Sequence, residues 1–169
     1  MADYRQQINI WFEGFDQRMN EAIPNVIAET ATEFFKERFN TEEWDGKPWQ
    51  ALQPKYAAKK GRGRGRIMTA SGALQRSIKP SEVKPNRVVI SAGNTTVPYA
   101  RIHNEGLSVK GSAKVRAYTN RNFMGKGQPM KISAHTRNIN YTMPQRQFMG
   151  NSQFLNNALV DRLTTEFNK

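Results

Sequence analysis

The chain of 169 residues is long enough for one domain with a hydrophobic core. Its 37% hydrophobic residues and mean hydropathy of −0.75 are low, which predicts polar segments around that core and further burial of apolar surface against neighbouring subunits. With no cysteine, disulfides and thiolate metal sites are excluded; no run approaches about 20 apolar residues and the opening MADYRQQ is unlike a secretory signal, so no membrane partner is expected. The net charge of +12 divides into −5 over residues 1–50 and +17 over residues 51–169, which suits head-to-tail contact between copies or a surface facing nucleic acid.

Residues 1–40 are predicted to be helical from the spacing of their apolar residues. The first apolar face comprises Tyr4, Ile8, Trp11, Phe12, Phe15 and Met19. Pro24 lies where a first-turn proline is tolerated, so either a second helix begins there or one helix is kinked there. The second apolar face comprises Ile27, Ala31, Phe34, Phe35 and Phe39. The acidic side chains of this part either solvate the helices or meet the basic surface of another copy.

Residues 41–66 are predicted to be a loop with a flexible basic arm. Turn-forming residues surround Trp44 and Trp49, and both rings are expected to fold back onto the core because exposing them is costly. The arm, KYAAKKGRGRGR at 55–66, carries six positive charges and three glycines. Its candidate contacts with a protein interface or with nucleic acid are Lys59, Lys60, Arg62, Arg64 and Arg66.

Short elements are predicted between residues 71 and 106. Residues 71–78 suit one or two helical turns, and the β-branched run at 87–92 predicts a strand. Residues 97–103 are expected to form the next strand or an extended segment, with Pro98 marking an edge or a strand start.

A variable hairpin insertion is predicted at residues 107–143, followed by a C-terminal helix at 151–168 that Asn151 or Ser152 can cap. The remaining candidate contacts lie in the insertion: Lys114, Arg116, Arg121, Lys126 and Lys131. The expected fold is a single α+β domain spanning residues 1–169. It combines an antiparallel β-sheet, N-terminal and C-terminal helices packed on one face, a projecting basic hairpin and the flexible basic loop.

Catalytic patterns are missing from the sequence. There are two histidines, so a three-histidine metal site cannot be built, and His103-Asn104-Glu105 lacks the cysteine pair that a zinc deaminase needs. No phosphate-binding glycine loop of the P-loop type and no nucleophile elbow occurs. We therefore expect no enzyme, no catalytic residue, no metal and no cofactor.

Four blocks of the chain occur in a recognisable order: WQAL at 49–52, TASGALQRS at 69–77, YARIHNEG at 99–106 and PQRQFMG at 144–150. In wording and order they resemble the phage virion morphogenesis (tail-completion) family of contractile-tailed, Mu-like phages and prophages. The family-motif positions, interpreted as structural, are Trp49, Leu52, Gly72, Leu74, Tyr99, Ala100, His103, Gly106, Pro144, Arg146, Phe148 and Gly150.

The resemblance implies a structural protein that completes the tail or prepares it to join the head. Its expected partners are other neck or tail proteins and further copies of itself, in a ring that is six-fold by analogy with tail symmetry. Its expected location is the virion neck or tail, reached from the host bacterial cytoplasm during assembly. The alternative is a nonspecific nucleic-acid-binding protein, contacting DNA through the Gly-Arg arm and the basic hairpin.

Overall fold

The structure is a computed structural model that describes residues 4–52, 66–123 and 128–168. Most of the predicted arm, with Lys59, Lys60, Arg62 and Arg64, lies outside the described residues, as does Lys126.

The N-terminal part is one continuous helical path. Helix α1 covers Tyr4–Gln17, a π-helical turn covers Arg18–Ala22, and helix α2 covers Ile23–Thr41 with Pro24 in its first turn. The backbone stays right-handed helical at Gln17 and Ala22, so the path has no break where Pro24 enters. All residues from 4 to 21 are exposed, whereas α2 is buried along one face.

The core forms around α2. Its buried apolar residues are Ala31, Phe35, Phe39, Trp49, Leu74, Ile78, Val97, Ala100, Phe148 and Leu155. Short strands β1 (Glu43–Trp44) and β2 (Lys47–Pro48) make a tight hairpin that returns both tryptophans to this core. The Trp44 ring stacks on Phe35 with centroids 6.2 Å apart, and Trp49 meets Phe39 edge-on at 5.6 Å. The prediction that both rings fold back is confirmed.

A helical turn and a hairpin follow the first gap. Helix α3 covers Ala73–Arg76, as predicted, and strands β3 (Lys79–Lys84) and β4 (Arg87–Ser91) pair antiparallel. The strand at β4 was predicted, but β3 was not. Its sequence KPSEVK contains Pro80, which lacks a ladder N–H, and the register shifts between Pro80 and Glu82 to accommodate it.

The expected strand at 97–103 is wrong, because helix α4 occupies Ala100–Glu105. Asn94 Oδ1 accepts hydrogen bonds from the backbone N–H groups of Thr96 (2.9 Å) and Val97 (3.0 Å), which turns the chain before a strand can start. Arg101 and Glu105 lie one helical turn apart and form an ion pair, with Nε 2.9 Å from Oε1, which favours the helix.

Four further strands form a ribbon between α4 and the C-terminal helix. Strand β5 (Ser108–Val115) pairs antiparallel with β8 (His135–Thr142), and β6 (Tyr118–Phe123) pairs antiparallel with β7 (Gln128–Ile132). Among the described residues of 107–143 whose exposure is defined, none is buried. The ribbon therefore lies outside the core, whereas the chain segments before and after it contribute residues to the core.

Helix α5 (Gln153–Phe167) closes the described chain and packs against α2. Ser152 is its N-cap, with Oγ accepting from the Leu155 N–H at 3.2 Å, which decides between the two predicted caps. Arg162 reaches Glu33 of α2 at 3.1 Å. The α+β class is confirmed, with helices at both ends and antiparallel strands that form four two-stranded sheets within the described ranges.

Candidate functional site

Three of the four sequence blocks meet at one place, which we call the motif junction: residues 49–50, 103–106 and 145–149. Trp49 Nε1 donates a hydrogen bond to the Gln147 carbonyl at 2.7 Å, so the first block is tied to the last. The Phe148 ring lies 5.2 Å from that of Phe39, centroid to centroid, and places the last block in the core. The remaining block, TASGALQRS at 69–77, contributes Leu74 to the same core.

Arg146 ties the junction together from the inside. It is 4% exposed, and its Nε and Nη2 donate to the Gln50 carbonyl at 3.0 and 2.9 Å. Its backbone N–H donates to the His103 carbonyl at 2.9 Å. Burial lowers the pKa of Arg146, and the charge of Glu42 acts in the opposite direction. A buried guanidinium that donates twice to one backbone carbonyl holds distant chain segments together.

Asn104 is the residue at the junction that sequence reasoning missed. Its Oδ1 accepts from the backbone N–H groups of Phe148 and Met149, each at 3.0 Å. These donors would otherwise be unpaired where the last block enters the core. The only available signal was its position inside YARIHNEG, because its partners lie more than forty residues away along the chain.

Gly106 sits where the ribbon leaves the junction. Its φ of +69° ends helix α4 in the left-handed region, and a Cβ there would lie 2.8 Å from Gln145 Cβ and 2.9 Å from Gln145 N. The ribbon returns beside it, since the Met143 N–H donates to the Leu107 carbonyl at 3.1 Å. The junction therefore holds both ends of the ribbon together.

The remaining motif positions differ in exposure. Ala100 is buried, Gly150 is exposed, and those of intermediate exposure are Leu52, Gly72, Tyr99 and Pro144. The Tyr99 ring meets the His103 ring edge-on with centroids 5.8 Å apart. The interpretation of these motif positions as structural stays a prediction.

His103 is half-buried, and its Nδ1 has no hydrogen-bond partner among the described residues. Burial lowers the pKa of His103 below its ordinary 6.5, and the nearby charge of Arg146 lowers it further. The adjacent Glu105 is engaged by Arg101 at 2.9 Å. Over the described ranges, no group of three or more His, Asp or Glu side chains lies close enough to hold a metal ion.

The lowered pKa of His103 predicts that acid destabilises the fold. The unfolded chain binds a proton that the folded chain resists, so stability falls as the pH drops below about 6.5 and is regained above it. Denaturation midpoints at about pH 7.5 and about pH 5.5 should differ less in His103→Asn than in the wild type. His135→Asn, at an exposed position, is the control. An unchanged difference in His103→Asn would contradict the prediction.

The predicted cationic contacts that the structure describes are separate from this buried junction. Arg66 is exposed at the edge of the first gap, and Lys114, Arg116, Arg121 and Lys131 are exposed along the ribbon. Lys110 and Lys114 project from the same face of β5, where their register partners are Asn140 and Thr136. Residues 107–143 hold seven Lys and Arg and no Asp or Glu.

Within the described ranges, no helix is long and apolar enough to cross a membrane. No curated protein and no solved structure matches the chain. A family model does match it, over residues 4–168, and this span includes all four blocks and the ribbon. The chain therefore belongs to the phage virion morphogenesis family.

Proposed function

We propose that the chain completes the phage tail or prepares it to join the head, by binding neighbouring virion proteins and without catalytic turnover. Family membership makes it a virion-associated protein of phage assembly. The stage and the six-fold ring go beyond membership and come from the resemblance to tail-completion proteins, whereas contact with neighbouring proteins is supported by the surface of the molecule.

The observation that carries the proposal is the exposure of large apolar side chains on both terminal helices. Trp11 of α1 is 62% exposed, and Phe154 and Val160 of α5 are 53% and 62% exposed. Burying a large apolar side chain gains about 1.5–3 kcal/mol, so exposed side chains of this kind on each helix mark surfaces that another protein covers.

The division of charge supports contact between copies. The first 50 residues carry −5 and the rest carry +17, so the acidic end of one copy complements the basic body of the next. Contacts between unlike surfaces generate rings when the rotation closes. We propose a ring at the neck or tail end, six-fold by analogy with tail symmetry, with other neck or tail proteins as its partners.

Nonspecific nucleic-acid binding is the second candidate function, and the ribbon favours it. Seven cations without an intervening acid are typical of a surface that neutralises phosphates, whose binding weakens steeply with added salt. An acidic protein surface would attract the same ribbon, so the charge pattern alone does not choose between the two partners.

The deciding experiment removes three ribbon cations in the variant K114Q/R116Q/K131Q. A phage lacking the gene is complemented with the variant, particles are examined by electron microscopy, and the purified protein is tested for DNA retention. If the chain acts in assembly, the variant should give unjoined heads and tails. In that case neither the variant nor the wild-type protein should retain DNA. The control R18Q/K47Q/K79Q removes three exposed cations outside the ribbon. Complete virions together with lost DNA retention would overturn the proposal in favour of DNA binding.

A further inference from the structure

We propose that helix α1 of one copy docks its apolar face into a groove on the next copy, between α2 and the β3–β4 hairpin. This inference deepens the proposed function, because it rests on the self-association suggested above and names the contact that would produce it.

Helix α1 has an apolar face that no other described residue of its own chain covers. Every residue of the helix is exposed, including Phe12 at 55% and Phe15 at 43%. The rings of Trp11 and Phe15 stack on each other at 5.6 Å, which presents one aromatic surface. The backbone of α1 continues that of α2, so it is the uncovered apolar face of its 14 residues, and not the backbone, that a partner would stabilise.

The groove has the chemistry that such a helix needs. It is open to solvent, has a volume of about 500 Å³ and lies between α2, β4 and the last sequence block. Its apolar lining includes Ile27, Ala31, Phe35, Val88, Ile90 and Met149. An amphipathic helix that lays aromatic side chains into an apolar groove is a recurring mode of protein recognition.

The groove cannot be filled by α1 of the same copy. The path from α1 through the π-helical turn into α2 stays helical throughout, and from Phe15 to Ile27 it rises by about 18 Å. The aromatic face is thus carried away from its own groove along the axis of α2. A second copy carries the same groove and is not held by this constraint. The two surfaces differ, so the contact repeats from copy to copy.

Charge supports the same pairing. Residues 4–22 contain Arg5 and Arg18 against Glu13, Asp16 and Glu21, a net of −1. The hairpin beside the groove, residues 79–91, contains three cations and one acid, a net of +2. A slightly acidic helix would therefore meet a basic rim. This agrees with the division of the whole chain into an acidic first part and a basic remainder.

Disulfide trapping tests the contact, because the chain has no native cysteine. One tagged chain carries Phe15→Cys and a differently tagged chain carries Val89→Cys; they are mixed and oxidised mildly. We expect a mixed dimer that contains both tags. Phe15→Cys mixed with Gly111→Cys, which places the second thiol on the ribbon, is the matched control and should give little product.

A second pair of variants measures the strength of association. The variant W11E/F15E places two charges on the apolar face and should weaken self-association by at least about a hundredfold in light scattering. The control Q6E/Q17E adds the same charge on the opposite face of α1 and should associate like the wild type. Both changes are at exposed positions, so the body of the protein keeps its fold.

The outcomes separate the two proposals. Wild-type oligomers that form without a mixed disulfide, or that survive in W11E/F15E, overturn this inference and leave assembly by other surfaces in place. A wild-type chain that stays monomeric at every concentration overturns both the inference and the ring. If the same oxidation in an extract of infected cells joins residue 15 to another virion protein, with no crosslink between copies, α1 has a different partner and the inference alone is overturned.

Discussion

Replacing Phe148 with alanine is expected to lower the free energy of unfolding by about 3–5 kcal/mol. The ring is 1% exposed and packs against Phe39, which is fully buried, so truncation leaves a cavity that surrounding side chains fill only in part. In urea the denaturation midpoint should fall with little change in slope, because the surface exposed on unfolding stays similar.

Phe154→Ala is the matched control, since it makes the same truncation at a residue that is 53% exposed. It should change stability by less than about 0.5 kcal/mol. If Phe148→Ala proved as mild as Phe154→Ala, the last sequence block would not be anchored in the core.

Replacing Gly106 with alanine should cost about 2–4 kcal/mol. Part of the loss comes from the left-handed backbone at φ +69°, and part from a Cβ placed 2.8 Å from Gln145 Cβ and 2.9 Å from its backbone nitrogen. A backbone atom cannot rotate away as a side chain can, so the two ends of the ribbon would have to separate.

Gly46→Ala isolates the backbone part of that cost. Gly46 has a similar φ of +74°, but a Cβ there would meet nothing within 4 Å. Thermal melts of both variants should show the larger fall in Tm for Gly106→Ala. Equal falls would contradict a steric role for Gly106 in holding the ribbon base.

Local patterns in the sequence predicted the helices well. Apolar spacing identified α2 and α5, and the β-branched run identified β4, because these signals depend on near neighbours. Patterning failed at residues 97–103, where Asn94 and Pro98 turn the chain and an ion pair favours a helix over a strand. It also failed at β3, because Pro80 argued against a strand there. A shift in register lets the strand form despite the proline.

The motif junction could be foreseen only in outline. Large aromatic residues beside turn-formers indicated anchors, and Trp49 and Phe148 are buried. The bonds made by Asn104 and Arg146 join segments distant along the chain, and no local pattern encodes such a meeting. Likewise, the apolar face of α1 showed that a covering surface is needed, but periodicity does not say which molecule supplies it.

Each sheet among the described residues has two strands, so one side of each strand has no further strand beside it within the described ranges. If the open strand edges of ribbons from separate molecules paired with one another, fibres would grow before a phage particle is built. Lys110, Lys114 and Lys131 are exposed on these strands, and their mutual repulsion opposes such pairing. The charges proposed to attract an acidic target would therefore also oppose edge-to-edge pairing between the ribbons of separate copies.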